Sequence, residues 1–167
     1  MRKLFIIMLT LTMAIGFNAM SVSAEVIYGN VEAMDILDGK ITFDDGSYLI
    51  TETLDDQTMS VQAVSTKTYS RIMTYYNSSD VAQCALKVTG TFEINYGISV
   101  KCTNVTATDY VYDSSWKVED ITTSRTTTAG ATASATANGR FVKRLLFIVT
   151  NNIPVTITVS CDKNGNY

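Results

Sequence analysis

Hydrophobic and polar positions alternate along most of the chain after residue 60. Cys84, Leu86 and Val88 fall on one side of an extended segment, as do Ile98, Val100 and Cys102, and Val155, Ile157, Val159 and Cys161. A period of two is the pleat of a β-strand. Apolar residues at helical spacing are nearly absent beyond residue 24, and Thr, Val, Ile and Tyr dominate, residues that suit a pleated, half-buried surface. The alternation predicts strands at 58–64, 67–76, 81–94, 98–112, 116–123, 127–137, 140–149 and 154–161. "NSSD" after Tyr76, "NYG" at 95–97, "DSS" before Trp116, "NG" at 138–139 and "TNN" at 150–152 supply the turns. Seven or eight antiparallel strands with short links indicate an all-β fold, an immunoglobulin-like antiparallel β-sandwich.

Two stretches need separate treatment. "TTTAGATASATANG", residues 126–139, places alanine at every second position from Ala129 to Ala137. That face has room for bulky neighbours such as Trp116 or Phe147, with Thr and Ser turned to water. A bilayer-piercing hairpin is the competing reading, but its partner strand "GRFVKRLLFIV" carries Arg140, Lys143 and Arg144, which are costly on a lipid face. The run "LLFIV" loses the alternation and reads as a central, buried strand.

The N-terminal third differs in charge. Residues 25–56 hold nine acidic side chains against Lys40 alone, whereas 57–167 hold ten basic and seven acidic. Asp38-Gly39 and Asp45-Gly46 separate three short alternating runs, so a β-meander or a flexible acidic segment is expected over 25–56, with the sandwich domain at 57–167. Before it, "MRKLFIIMLTLTMAIGFNAMSVSA" has Arg2 and Lys3, an apolar run from Leu4 to about Phe17, and Val22 and Ala24 at the −3 and −1 positions of a cleavage site. Residues 1–24 therefore read as a secretory signal peptide. Glu25 follows the cut, so no lipid anchor is expected. The chain closes on "CDKNGNY" without a sorting signal. The expected address is secreted, extracellular or cell-surface associated.

Composition removes much chemistry. The chain has no histidine, so Ser-His-Asp and Cys-His catalysis in their usual forms and histidine-ligated zinc are excluded. No C-x-x-C spacing, phosphate loop or calcium loop is present, and neither a metal nor a cofactor is expected. A net acidic chain with scattered basic residues does not point to nucleic acid. A two-carboxylate glycosidase survives, with Glu93, Asp109, Asp113, Glu119 and Asp120 as candidates. A non-catalytic binding or interaction module is the preferred reading, with Tyr75, Tyr76, Tyr110 and Tyr112 as candidate ligand-binding rings for extracellular polysaccharide or protein. A membrane-active secreted protein is a further alternative, although a membrane is not the expected partner, and self-assembly through a strand edge or a spare thiol is open. Trp116 is expected in the core.

Three cysteines allow one internal bridge at most. If "NYG" closes a hairpin, opposed residues sum to about 192, and Cys102 faces Gly90 while Cys84 faces Thr108. That separates Cys84 from Cys102 by about six residues, roughly 20 Å, too far for a bond. A disulfide between Cys102 and Cys161 is the preferred pairing, and three reduced core cysteines are the alternative.

"KTYSRIMTYYNSSD", "GTFEINYGISVKC", the lone Trp116, "GATASATANGRF" and "VTITVSCDKNGN" together resemble a loose group of small secreted β-sandwich proteins of clostridia-type Gram-positive bacteria. The resemblance covers about residues 60–167. It implies a fold and an extracellular address, and it implies no activity and no catalytic residue. Cys84 departs from the group's pattern.

Overall fold

The computed structural model describes residues 39–56 and 64–167. The signal-peptide segment and most of the expected strand at 58–64 lie outside them. Eight antiparallel strands are formed: β1 (Lys40–Thr42), β2 (Tyr48–Asp56), β3 (Val64–Tyr76), β4 (Ala82–Asn95), β5 (Ser99–Val111), β6 (Trp116–Arg125), β7 (Thr132–Leu145) and β8 (Ile148–Asp162). They make a five-stranded sheet in the order β1-β2-β3-β4-β5 and a three-stranded sheet in the order β6-β7-β8. The all-β sandwich expected from the alternation is what the chain adopts. Its connectivity is a plain meander in each sheet, where immunoglobulin domains interleave their strands by Greek-key connections. The physical reason is loop length: short turns oblige sequential neighbours to pair.

The core lies between the sheets and is assigned by parity. Met73, Tyr75, Cys84, Leu86, Val88, Phe92, Ile94, Val100 and Cys102 face inward from the larger sheet, and Trp116, Phe141, Val155, Ile157 and Val159 from the smaller. The alanine face of β7 is also inside, with Ala133, Ala135 and Ala137 buried. Its small side chains let the two sheets approach each other. A Cβ placed on Gly90 would lie 2.7 Å from the Ala135 Cβ and 2.8 Å from the Phe92 ring. Phe92 therefore takes the space under this face that Phe147 was expected to fill.

Several expectations change. Residues 40–56 form short antiparallel strands, as the meander reading expected, and they are continuous with the larger sheet. β2 pairs with β3 at nine successive positions, from Tyr48↔Tyr76 to Asp56↔Thr68, and Leu49 is a core residue. Carboxylates on one face do not stop a strand burying the other. The turns expected at "NG" and "TNN" are absent. Asn138-Gly139 lies within β7 and Asn151-Asn152 within β8, in register as Asn138↔Thr156 and Lys143↔Asn151. Gly139 is glycine because a Cβ there would press on Leu86 at 3.2 Å. The two predicted strands at 127–137 and 140–149 are therefore mostly one strand, and "LLFIV" is a hairpin apex, where it was expected as a buried central strand.

The β4–β5 hairpin centres one residue later than expected, at Asn95↔Ser99, and Thr103 bulges out, so Cys102 faces Phe92 and Cys84 faces Val111. The expected Cys102–Cys161 disulfide is not formed: Cys84, Cys102 and Cys161 are all free and buried. Cys102 Sγ donates to the Asn104 carbonyl at 3.1 Å and Cys161 Sγ to the Asp162 carbonyl at 3.4 Å. All three behave as small core hydrophobes.

Candidate functional site

An up-and-down meander returns alternate turns to the same end of a sandwich. The β1–β2, β3–β4, β5–β6 and β7–β8 connections therefore share one end. Three of the four are built from residues with a turn mechanism. In the first, Asp45 Oδ1 accepts from the Ser47 amide at 2.9 Å, and Gly46 supplies a left-handed φ of 81°. In the second, Asn77 Oδ1 accepts from the amides of Ser79 and Val81, both at 3.0 Å. Tyr48 lies over this turn, donating its hydroxyl to Asp80 Oδ1 at 2.9 Å. In the third, Asp113 Oδ1 accepts from the Ser115 amide at 2.8 Å. These bonds hold the Asp45 and Asp113 carboxyls below the ordinary carboxylate range, the Ser47 and Ser115 contacts being the main causes.

The fourth turn breaks the rule. Leu145 pairs with Ile148, and the two-residue connection is Leu146-Phe147, with Leu146 in the left-handed region at φ 56°. Glycine or asparagine ordinarily occupies such a position. These four side chains are 66%, 87%, 96% and 60% exposed, in chain order. They crown the two longest-paired strands of the small sheet, and the Arg144 amide donates to the Ser115 carbonyl at 2.8 Å, fixing the hairpin against the β5–β6 turn. Below the apex is a basic collar. Arg144 Nη2 contacts both Glu119 oxygens, at 2.9 and 3.0 Å. Arg140 pairs with Asp120. Lys143 Nζ lies 5.8 Å from the Trp116 ring centroid. Val81, Val111 and Tyr112 add exposed apolar surface at the same end.

The four candidate tyrosines divide. Tyr75 is 3% exposed, wedged against Trp116 at 4.6 Å and Phe43 at 6.1 Å between ring centroids. Burial pushes its hydroxyl above the ordinary range. It is a core residue and presents no ring to a ligand. Tyr76 is half-buried on the outer face of the larger sheet, stacked on Tyr48 at 5.0 Å. Tyr110, opposite Ala85, is on the same face two strands away. Tyr112 leaves β5 at the loop end and is 56% exposed. Trp116 is buried, as expected.

Four of the five candidate carboxylates are engaged by structural partners, and Asp109 stands on β5 opposite Leu86. Glu93 pairs with Lys101 at 2.8 Å, Glu119 with Arg144, Asp120 with Arg140, and Asp113 belongs to a turn. A glycosidase acid needs its proton held above the ordinary range, whereas Asp113 is shifted the other way. Among the described residues no three Cys, Asp or Glu side chains could hold a metal ion, and no helix is long and apolar enough to cross a membrane.

The apex escaped sequence reasoning because an apolar pentapeptide resembles a buried strand. One signal could have found it. The odd-numbered inward face runs unbroken from Ala133 through Gly139 to Phe141, and again from Ile153 to Cys161, and the two runs mirror each other about 146–147. Compared with protein-family models, curated proteins and solved structures, the chain matches none.

Proposed function

We propose that this chain is an exported, non-catalytic binding module that meets the cell envelope or another extracellular partner with the loop end of its sandwich. One observation carries the reading: four consecutive large apolar side chains stand 60% to 96% exposed at the Leu145–Ile148 apex. Side chains that cost solubility and contribute nothing to a core are retained where they are covered on binding. The export-like residues 1–24 and the resemblance to small secreted proteins of Gram-positive bacteria supply the address. The dispersal of the candidate carboxylates favours binding over hydrolysis.

The test is retention of the secreted chain on washed Gram-positive cell envelopes, for the native sequence, a Leu146→Ser/Phe147→Ser variant and a Tyr110→Ser/Tyr112→Ser variant. Retention should fall at least several-fold for the apex variant and change little for the tyrosine variant. Loss confined to the tyrosine variant would move the contact to the larger sheet and contradict the proposal.

A further inference from the structure

We infer that the partner of the apex is a phospholipid bilayer surface, entered to a shallow depth by the β7–β8 turn. The inference rests on the binding role proposed above and specifies its target. A protruding apex of four apolar side chains needs an acceptor that can close around a convex shape. A bilayer does this without a preformed groove.

The depth fits. The turn and the Leu145–Ile148 rung beneath it reach roughly 7 Å beyond Arg144 at about 3.3 Å per residue, within the roughly 5–10 Å at which interfacial segments sit. The next residues down are Lys143 and Arg144 on one strand and, below Val149, Thr150, Asn151 and Asn152 on the other. They would lie at the phosphates, with the exposed Tyr112 at the same end, as aromatic rings do in membrane interfaces. The backbone is compatible too, because Leu145 and Ile148 are paired and the apex is a closed hairpin.

The charge pattern limits the depth. From Arg140 to Asn152 there are three basic residues and no acidic one, and Lys117 stands opposite Val142 on β6. Glu119 and Asp120 pair with the guanidiniums of Arg144, directly beside the apex, and of Arg140, lower on β7. Asp113 is the carboxylate that interacts with Lys143. Asp45, Asp80 and Asp113 also lie at this end, so Lys143 and Lys117 are the basic groups outside the Glu119 and Asp120 pairs that would meet headgroup phosphates, and the charges that exclude a spanning hairpin stop the apex at that depth.

The experiment is co-sedimentation of the secreted chain with sucrose-loaded vesicles of phosphatidylcholine alone and of phosphatidylcholine with 30% phosphatidylglycerol, with entrapped dye in a parallel sample. Only differences between native and variant chains are read, so any contribution from the N-terminal residues cancels. Binding should be stronger on the anionic vesicles. Leu146→Ser/Phe147→Ser should reduce it at least roughly tenfold, about what withdrawing one large apolar side chain implies. Lys143→Gln should weaken it and Asp113→Asn strengthen it, since asparagine preserves the turn. Shallow entry predicts no dye release.

Equal binding of native and apex-variant chains, or no vesicle binding at all, overturns the inference. Apex-dependent retention on envelopes without vesicle binding also overturns it, while leaving the proposed function intact. The same holds if protease treatment of the envelopes abolishes retention, which would identify a protein partner.

Discussion

Leu146 carries a local conflict between stability and use. A branched residue at φ 56° costs about 1 kcal/mol or more relative to glycine, and nothing buries its side chain in compensation. Leu146→Gly should therefore raise the thermal midpoint by a few degrees while weakening retention on envelopes, and both quantities come from the same preparation. Cys84 gives a second prediction at this scale. Burial holds its thiol up at about 12, and that of Cys161 at about 11, against an ordinary value of 9.0. Above pH 9 the unfolded chain loses these protons and the folded chain keeps them. The thiol contribution is thus complete below pH 9 and is lost as pH rises towards 11 and 12, by up to about 1.4 kcal/mol per pH unit for each thiol. Urea midpoints should hold from pH 6 to 8 and fall beyond 9. Cys84→Ala should show the shallower fall.

Among the elements, β7 sets the spacing of the sheets. Its alanines admit Phe92 and the bare backbone at Gly90, so Gly90→Ala should cost at least about 1–3 kcal/mol through overpacking. Adding Ala135→Gly should recover part of the loss, as urea titrations of the single and double variants would show. The inward faces of β4, β7 and β8 were legible in the sequence because burial on one side writes a period of two. Asn138-Gly139 misled because the same dipeptide serves a tight turn and a close sheet approach, and only the partner surface, here Leu86, distinguishes them. Among the candidate rings, Tyr75 and Tyr76 are adjacent and equally aromatic. Parity separates their faces, but which face is inside depends on the second sheet. The apex was illegible for a related reason: exposure of an apolar run is a property of the whole fold.

For the whole molecule, the strands before residue 57 are part of the sandwich, with Leu49 in the core and Tyr48 pinned to Asp80. A chain beginning at residue 57 should lose its cooperative melt and bind hydrophobic dye, whereas an electrostatically docked appendage could be removed with little effect. The open edge of β8 is managed within the fold: Pro154 withholds a donor there, and Arg71 Nη1 donates to the Thr158 carbonyl at 3.0 Å. The longest run of exposed apolar side chains is the Leu145–Ile148 apex, while Ile98, Tyr96 and Tyr167 expose apolar surface at the opposite end. The most direct test of the apex as the binding surface is a hydrogen-exchange footprint of the full chain, free and on washed envelopes. Protection should appear at residues 143–150 and at the β5–β6 turn bonded to Arg144. Protection centred on Tyr76 and Tyr110, with the apex unchanged, would contradict the account.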